Sequence, residues 1–297
     1  MNNAKKVLSV LSFGEILWDN INGQKYLGGA PLNFAAHVVK CGGMSAIISA
    51  VGSDDLGKKA VQELTALKID SALVQTCTDR PTGIVDVFLS NGQPDYHIHE
   101  NVAFDFISPT DPGKIAAGKF NTFYFGSLAQ RNEKSRTTLQ EILTRHKFEH
   151  IFYDINLRKN YYSEEIIRYS LQRCTIFKIN DDEVQTISKL FYKSILSPED
   201  FARRVAIDFH IQVVIVTAGE HGCYTWSRGN VDYIPAVPIT VVDTVGAGDA
   251  FSAAFMSHYY KNGNATEAAL SGNKIGAYVA SANGAIPEYS DEIKKSL

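Results

Sequence analysis

The stretch "DTVGAGDAF", Asp243 to Phe251, decides how the chain is read. An extended apolar run, "VPITVV", precedes it, and a small-residue helical pattern with an apolar face, "AFSAAFMSHYY", follows. Gly246, Ala247 and Gly248 therefore open a helix, and Asp249 comes directly after them. Three glycine-loop readings compete here. A P-loop needs GxxxxGK[ST], and no lysine follows. A dinucleotide fingerprint needs GxGxxG, and Phe251 occupies its sixth position. A helix-start anion site remains: small residues let backbone N–H groups approach an anion closely, and the helix dipole adds partial positive charge. Asp249 is left over by that reading. An isolated acid in a first helical turn ordinarily caps it. Beside an anion cradle the same acid repels the ligand, unless its task is to take a proton from an attacking hydroxyl while the amides stabilise a transferring phosphoryl group.

Outward from this loop, strand patterns alternate with helix patterns. "KKVLSVLSFGEI", "SAIISAVG", "FNTFYFG", "HIFYDIN", "TIFKIN" and "QVVIVTAG" read as strands. "PLNFAAHVVKCGG", with Pro31 near its start and Gly42-Gly43 at its end, reads as a helix, as do "LGKKAVQELTAL", "EKSRTTLQEILTRH", "SEEIIRYSLQR" and "DDEVQTISKLF". Further extended pieces, "GCYTWS", "VDYIPAV" and "TVV", lead into helices from about Ala250 and Ala265, the second opened by Asn264 and Glu267 as a capping box. This alternation predicts an α/β fold: a mostly parallel sheet covered on both faces, with ligands at the carboxyl ends of its strands. Two stretches break the alternation, about 18–27 and 82–103. Both carry polar, two-sided strand patterns, and "SNGQP" is a hairpin signal between "TGIVDVFL" and "DYHIHE". They are expected to form a small β-sheet lid inserted in one domain spanning 1–297.

Composition bounds the rest. The chain has 297 residues, enough for one large domain or two at roughly 150 residues each, and 45% apolar with 21% charged residues is ordinary for a globular protein. A net charge of −3 gives no reason to expect nucleic acid or an anionic membrane as partner. Cys41, Cys77, Cys174 and Cys223 form no CxxC motif, which suits reduced thiols in a cytoplasmic protein. Glu15 and Asp19 interrupt the first apolar run, so it reads as a core strand rather than a signal peptide. No apolar run is long enough to span a membrane. The eight histidines show no HExxH spacing, His97 and His99 share one face of a strand, and "GSL" around Ser127 is not a GxSxG elbow.

Several ordered motifs together resemble the ribokinase-like (phosphofructokinase B) carbohydrate kinases. "DTVGAGDAFSAAF" looks like the second signature of that family, "GGAPLNFAAHVVKCGGMSAIISAVGSDDLG" (Gly28 to Gly57) like the first, and "NDDE" (Asn180 to Glu183) like its NxxE element. The resemblance implies a three-layer α/β/α ribokinase-like fold and an ATP-dependent sugar kinase. It makes Asp249 the catalytic base and the amides of Gly246, Ala247 and Gly248 the anion hole. Asn180 and Glu183 would organise hydrated Mg²⁺ near the phosphates, although on the residues alone they read as a cap and a first-turn acid. Asp19, Gly28, Gly29 and Asn33 match sugar-binding positions. "DINLR" (Asp154 to Arg158) resembles an element common in fructokinase-type members, so Asn156 and Arg158 would reach phosphate oxygens; a surface ion pair is the alternative. Thr217 and the Gly219 to Gly222 turn would lie along ATP, and "SANGAI", with Asn283, resembles the loop over adenine. A monovalent cation, K⁺ among them, would be held by backbone carbonyls of Asp243 and Val245.

"GEILWD", "GGAPLNFA" and "DINLR" together look most similar to bacterial fructokinases, which implies fructose phosphorylated at its primary 6-hydroxyl. Ribose, other ketoses and 2-keto-3-deoxygluconate remain open. Trp18 could pack on a sugar face or belong to the core. Exposed lid strands need their edges covered, and related kinases are often dimers, so a homodimer clasping through its lids is expected. Two other classes stay in view: a sugar-binding regulator that has lost the chemistry, against which the intact Asp249, Gly246, Gly248, Asn180 and Glu183 argue, and a nucleotide-dependent oxidoreductase, which the missing GxGxxG disfavours.

Overall fold

Apolar runs with no polar face, such as those at 44–52 and 213–217, need cover on both sides, and the chain provides it. The computed structural model describes residues 7–90, 93–109, 115, 119–295 and 297. The first six residues and the Asn91-Gly92 turn signal lie outside the described residues. In chain order the elements are β1 (Ser9–Phe13), β2 (Leu17–Ile21), β3 (Gln24–Gly28), α1 (Ala30–Lys40), β4 (Met44–Gly52), α2 (Asp55–Ala66), β5 (Val74–Cys77), β6 (Gly83–Ser90) and β7 (Gln93–Ile98). There follow β8 (Thr122–Phe125), α3 (Glu133–Arg145), β9 (His150–Asp154), α4 (Glu164–Leu171), β10 (Ile176–Asn180), α5 (Asp181–Tyr192), α6 (Pro198–Phe209) and β11 (Val213–Thr217). The chain ends with β12 (Cys223–Ser227), β13 (Asn230–Ile234), α7 (Ala247–Asn262), α8 (Ala265–Ala280) and α9 (Asp291–Lys295).

Among the described residues the large sheet runs β13-β12-β11-β10-β9-β8-β1-β4-β5. Seven of its strands are parallel, and β12 and β13 add an antiparallel edge. Alternation along each strand splits the core into two layers. Leu11, Phe13, Phe123, Phe125, Tyr153 and Phe177 face α3 to α6. Val10, Tyr124, Phe152 and Ile176 face α1, α7 and α8. Phe34 of α1 stacks on Tyr124 with ring centroids 3.8 Å apart, which fixes that helix against the middle of the sheet. The result is the three-layer α/β/α arrangement that the alternation predicted. A second sheet, β3-β2-β6-β7, collects the two polar stretches. Its β2–β6 pair is parallel and its outer pairs are antiparallel.

Two features differ from the sequence reading, and a third decides between its two readings of Trp18. The run "VPITVV" is not a strand: Val237, Ile239, Val241 and Val242 are exposed. Pro238 removes a ladder donor there, and no strand pairs with the segment. The helix α6 was not anticipated, although Ser197 caps it and Pro198 opens it, a standard start signal. Trp18 is buried in the core, where its indole N–H donates to the Leu56 carbonyl at 3.1 Å. Period-two alternation puts Trp18 and Asp19 on opposite faces of β2, so they cannot share one ligand.

The turn from β4 into α2 requires backbone contact. A Cβ on Gly57 would overlap the Gly52 carbonyl oxygen and sit 2.9 Å from Thr82 Oγ1. Gly57→Ala is therefore expected to lower stability by roughly 1–3 kcal/mol, the usual range for overpacking, read from the urea unfolding midpoint.

Candidate functional site

Parallel strands β1, β8, β9, β10 and β11 end on one edge, and α7 starts there. Gly246 is the N-cap of α7 with φ of 77°, a left-handed conformation that glycine adopts without the steric cost other residues meet. A Cβ on it would lie 2.6–2.8 Å from Ala285, so the 281–286 loop is seated directly on this residue. The Asp243 carboxylate joins the same two loops, accepting from Val245 N at 3.0 Å and Gly284 N at 3.1 Å. Ala247 is half-buried, Gly248 is exposed, and Asp249 is buried in the first turn of the helix. Asn33 of α1 donates to Asp249 Oδ2 at 2.9 Å. Burial pushes the Asp249 carboxyl up to about 7, and the nearby Asp154 carboxylate adds to the rise against the lowering effects of Asn33, Lys178 and Arg158.

Beneath this turn lies a buried ion pair that the sequence reading did not single out. Lys178 Nζ donates to both Asp154 oxygens at 3.0 Å. Asp154 also accepts from Ser252 Oγ at 3.0 Å and Tyr124 OH at 3.2 Å, so the buried charges are matched and hydrogen-bonded. A Cβ on Gly248 would stand 3.5 Å from Lys178 Nζ, which places this cation against the exposed helix start. The only sequence-level signal was a charged residue in each of two otherwise apolar strands, "FYDIN" and "IFKIN". Glu15 was also missed. It follows β1, is buried, and burial lifts its carboxyl to about 7. Its interruption of the first apolar run was the available clue.

On the other side, Asp19 lies over the turn into α1. A Cβ on Gly28 would be 2.5 Å from Asp19 Oδ2, and one on Gly29, at φ of 115°, would overlap the Glu15 carbonyl oxygen. The two glycines thus let both acids approach the start of the helix that carries Asn33. Burial raises Asp19 to about 6. Arg158 is exposed, yet its charge lowers the carboxyls of Glu15, Asp19 and Asp249 alike, so it overlooks the space these three border. Asn156 has φ of 43°, and its buried Nδ2 has no hydrogen-bond partner among the described residues.

Asn180 and Glu183 make a reciprocal capping box at α5: Asn180 Oδ1 accepts from Glu183 N at 2.8 Å and Glu183 Oε2 from Asn180 N at 3.1 Å. Glu183 Oε1 accepts from Leu157 N at 2.6 Å, tying the "DINLR" loop to this helix start. Both oxygens already hold a backbone N–H, and the described residues contain no group of three or more acidic, His or Cys side chains that could cage a metal. The donor set fits a cation that keeps its waters and rides on a ligand's phosphates, not one held by a protein cage. Thr217 pairs with Asn180 across β10–β11. It runs into the Gly219–His221 turn, where Gly222, at φ of 84°, leaves no room for a Cβ against Ile234 to Ala236. Asn283 is exposed in the 281–286 loop. Thr217 ends its strand at the same carboxyl edge, and the 281–286 loop that carries Asn283 is seated on the start of the helix that bears Asp249. No helix among the described residues is long and apolar enough to cross a membrane.

The chain belongs to the pfkB family of carbohydrate kinases, whose family model matches residues 4–292. It is thus a sugar kinase, a phosphotransferase with an alcohol group as acceptor, in a family that uses ATP. The fructokinase of Klebsiella pneumoniae is 28% identical over 291 residues, covering 91% of this chain and 91% of that relative. Two solved structures establish the fold. A double-mutant fructokinase of Vibrio cholerae, bound to fructose, ADP and potassium ion, superimposes with TM-score 0.81 at 22% identity over 96% of each chain. A sugar kinase of Pyrococcus horikoshii in complex with ATP gives TM-score 0.78 at 24% identity, covering 93% of this chain and 94% of its own.

The raised Asp249 carboxyl has a consequence for stability. The folded state keeps this proton up to about pH 7, whereas the unfolded chain releases it near the ordinary aspartate value of 3.8. The folded protein therefore carries a penalty that is absent at low pH, grows as pH rises from 3.8 to about 7, and then levels off. Asp249→Asn should match the wild type in melting temperature near pH 4 and exceed it at pH 8, a comparison that differential scanning calorimetry makes directly.

Proposed function

We propose that the chain transfers the γ-phosphoryl group of ATP to the primary 6-hydroxyl of fructose, with Asp249 as the base. The carrying observation is Asp249 itself: a buried carboxyl lifted to about 7, one residue past an exposed glycine amide at a helix start. A carboxylate of that basicity suits a hydroxyl proton near neutral pH. In the step, Asp249 takes the hydroxyl proton, the sugar oxygen forms a bond to the γ-phosphorus, and the bond to the β–γ bridging oxygen breaks to leave ADP. The amides of Gly246, Ala247 and Gly248 receive the charge on the transferring group, and Lys178 lies behind Gly248 to add to that field. Asp19, Asn33 and the backbone at Gly28-Gly29 hold the sugar, with Asn156 and Arg158 toward its phosphoryl side. Thr217, Gly219, Gly222 and Asn283 line the nucleotide.

Mg²⁺ would neutralise charge on the phosphates, and Asn180 and Glu183 would meet it through its waters. The carbonyls of Asp243 and Val245 suit a monovalent cation, and the potassium bound to the Vibrio cholerae fructokinase supports that assignment. Fructose rests on the fructokinase relatives and on a pocket offering a carboxylate and an amide to adjacent hydroxyls. The small sheet is read as a lid on a single 1–297 domain. Ile21, Tyr26 and Tyr96 are exposed and, by strand register, share the face that carries Asp19. A second copy covering that face gives a homodimer, which four unpaired cysteines allow in the reducing cytoplasm.

Coupled ADP release with ATP, Mg²⁺ and a sugar panel tests the substrate: fructose is expected to be preferred over ribose, glucose, mannose, tagatose, 2-keto-3-deoxygluconate and fructose 6-phosphate. Preference for another member discards the pocket reading and keeps the class. Asp249→Asn should keep ADP binding and lose at least about a hundredfold in turnover, the lower end for losing an acid–base group. A near-normal rate would overturn the base assignment. In the wild type, log kcat/KM should rise with unit slope up to about pH 7 and flatten above it, because only the ionised carboxylate accepts the proton. Sedimentation showing only monomer at assay concentration would refute the dimer.

A further inference from the structure

One buried titratable side chain has no part in the chemistry above. His37 is fully buried in α1, one helical turn beyond Asn33. Its two ring nitrogens are both engaged: Nε2 lies 2.9 Å from the Ala285 carbonyl oxygen and Nδ1 lies 2.7 Å from Tyr289 OH. A carbonyl can only accept, so Nε2 carries the proton, and Nδ1 is left to accept from the tyrosine hydroxyl. The ring is thus neutral with a fixed tautomer, which agrees with burial holding it down at about 4. Tyr289 is itself buried and stacked against the imidazole, with centroids 5.7 Å apart. Lys40, also on α1, pairs with Glu288 at 2.8 Å, and Tyr278 of α8 donates to the Glu288 carbonyl at 2.7 Å. The strap 285–290 is therefore pinned to two helices, and its pinned end is Ala285, the residue packed on Gly246.

We propose that His37 is a positioning residue for the nucleotide side of the site. Through the Ala285 carbonyl it sets how closely the 281–286 loop seats on Gly246. Through α1 it ties that seating to Asn33, and so to Asp249. Residues i and i+4 lie on one face of a helix, so one rigid rod touches the base at one point and the loop at the next. The role rests on the reading of the α7 start and the 281–286 loop as the place where nucleotide binds. It assigns His37 and Tyr289 no contact with either substrate.

The test uses the full chain and reads ADP affinity by calorimetry beside steady-state kinetics. His37→Phe keeps a ring and removes both hydrogen bonds. It should weaken ADP binding and raise the KM for ATP by about tenfold or more, the scale of a lost buried hydrogen bond, while the sugar KM changes by less than about twofold. His37→Gln can still donate an amide N–H to the Ala285 carbonyl and should return to within about threefold of the wild type. Tyr289→Phe leaves the imidazole and its packing in place and should fall between the two. It carries the test if His37→Phe does not fold. ADP affinity unchanged in both His37→Phe and Tyr289→Phe, a loss that His37→Gln fails to repair, or equal rises in both KM values would overturn the proposal. A wild-type chain that binds no ADP would remove the underlying reading, whereas ADP binding indifferent to His37 removes this proposal alone.

Discussion

The hydrogen bond from Asn33 to Asp249 is the contact on which the rest of the molecule converges. A carboxyl kept out of water is expensive to ionise, and the Asn33 amide offsets only part of that expense, which leaves Asp249 raised to about 7. To make the contact, α1 and α7 must approach closely over the same stretch of sheet. α7 is accordingly lined with small residues, Ala250, Ala253 and Ala254, all buried. α8 continues the theme. A Cβ on Gly272 would meet the Phe251 ring at 2.9–3.0 Å, and one on Gly276 would meet the Ala247 carbonyl at 3.1 Å. The start of α7 is held where it is by what its neighbours lack.

The electrostatics around that contact are arranged in depth. Asp154 and Lys178 neutralise each other beneath the helix start, so neither leaves an uncompensated buried charge. They act on Asp249 in opposite directions, the carboxylate raising it and the ammonium lowering it. Arg158 is exposed at the rim, donates to the Leu157 carbonyl at 3.1 Å, and acts on three acids at once. An anionic ligand at this helix start would therefore meet one exposed guanidinium at the rim and one buried ammonium at the floor. The acids Glu15 and Asp19 stand on the other side.

The layered α/β/α fold was readable because helix and strand periods differ, and long runs such as 44–52 and 213–217 permit only a covered sheet. The backbone of the candidate site was legible where its geometry dictates residue type. Gly246, Gly28 and Gly29 stand where a left-handed turn or a close approach leaves no room for a side chain, and such demands mark the sequence. What escaped were partnerships between side chains remote in sequence. Lys178 and Asp154 each look like a stray charge in an apolar strand until adjacent strands set them side by side. Glu15 and His37 show in the sequence only as polar residues among apolar neighbours, with no sign of the partners that their burial brings to them. Trp18 had two readings, a sugar face or the core, and strand alternation, which turns it away from Asp19, decides for the core. The segment "VPITVV" misled because hydrophobicity signals a strand only where a neighbour can pair, and its proline denies that.

The hydrogen bond between Asn33 and Asp249 joins residues 216 positions apart, and that from His37 to Tyr289 spans 252. At ordinary rates of translation, α7 emerges tens of seconds after α1, on the order of 10–40 s. Throughout that interval Asn33 is an amide without its acid, and the face of α1 that α7 covers stays open. The α1–α7 contact is thus closed late, by pairing across most of the described chain, and contacts of such long sequence separation are slow to form.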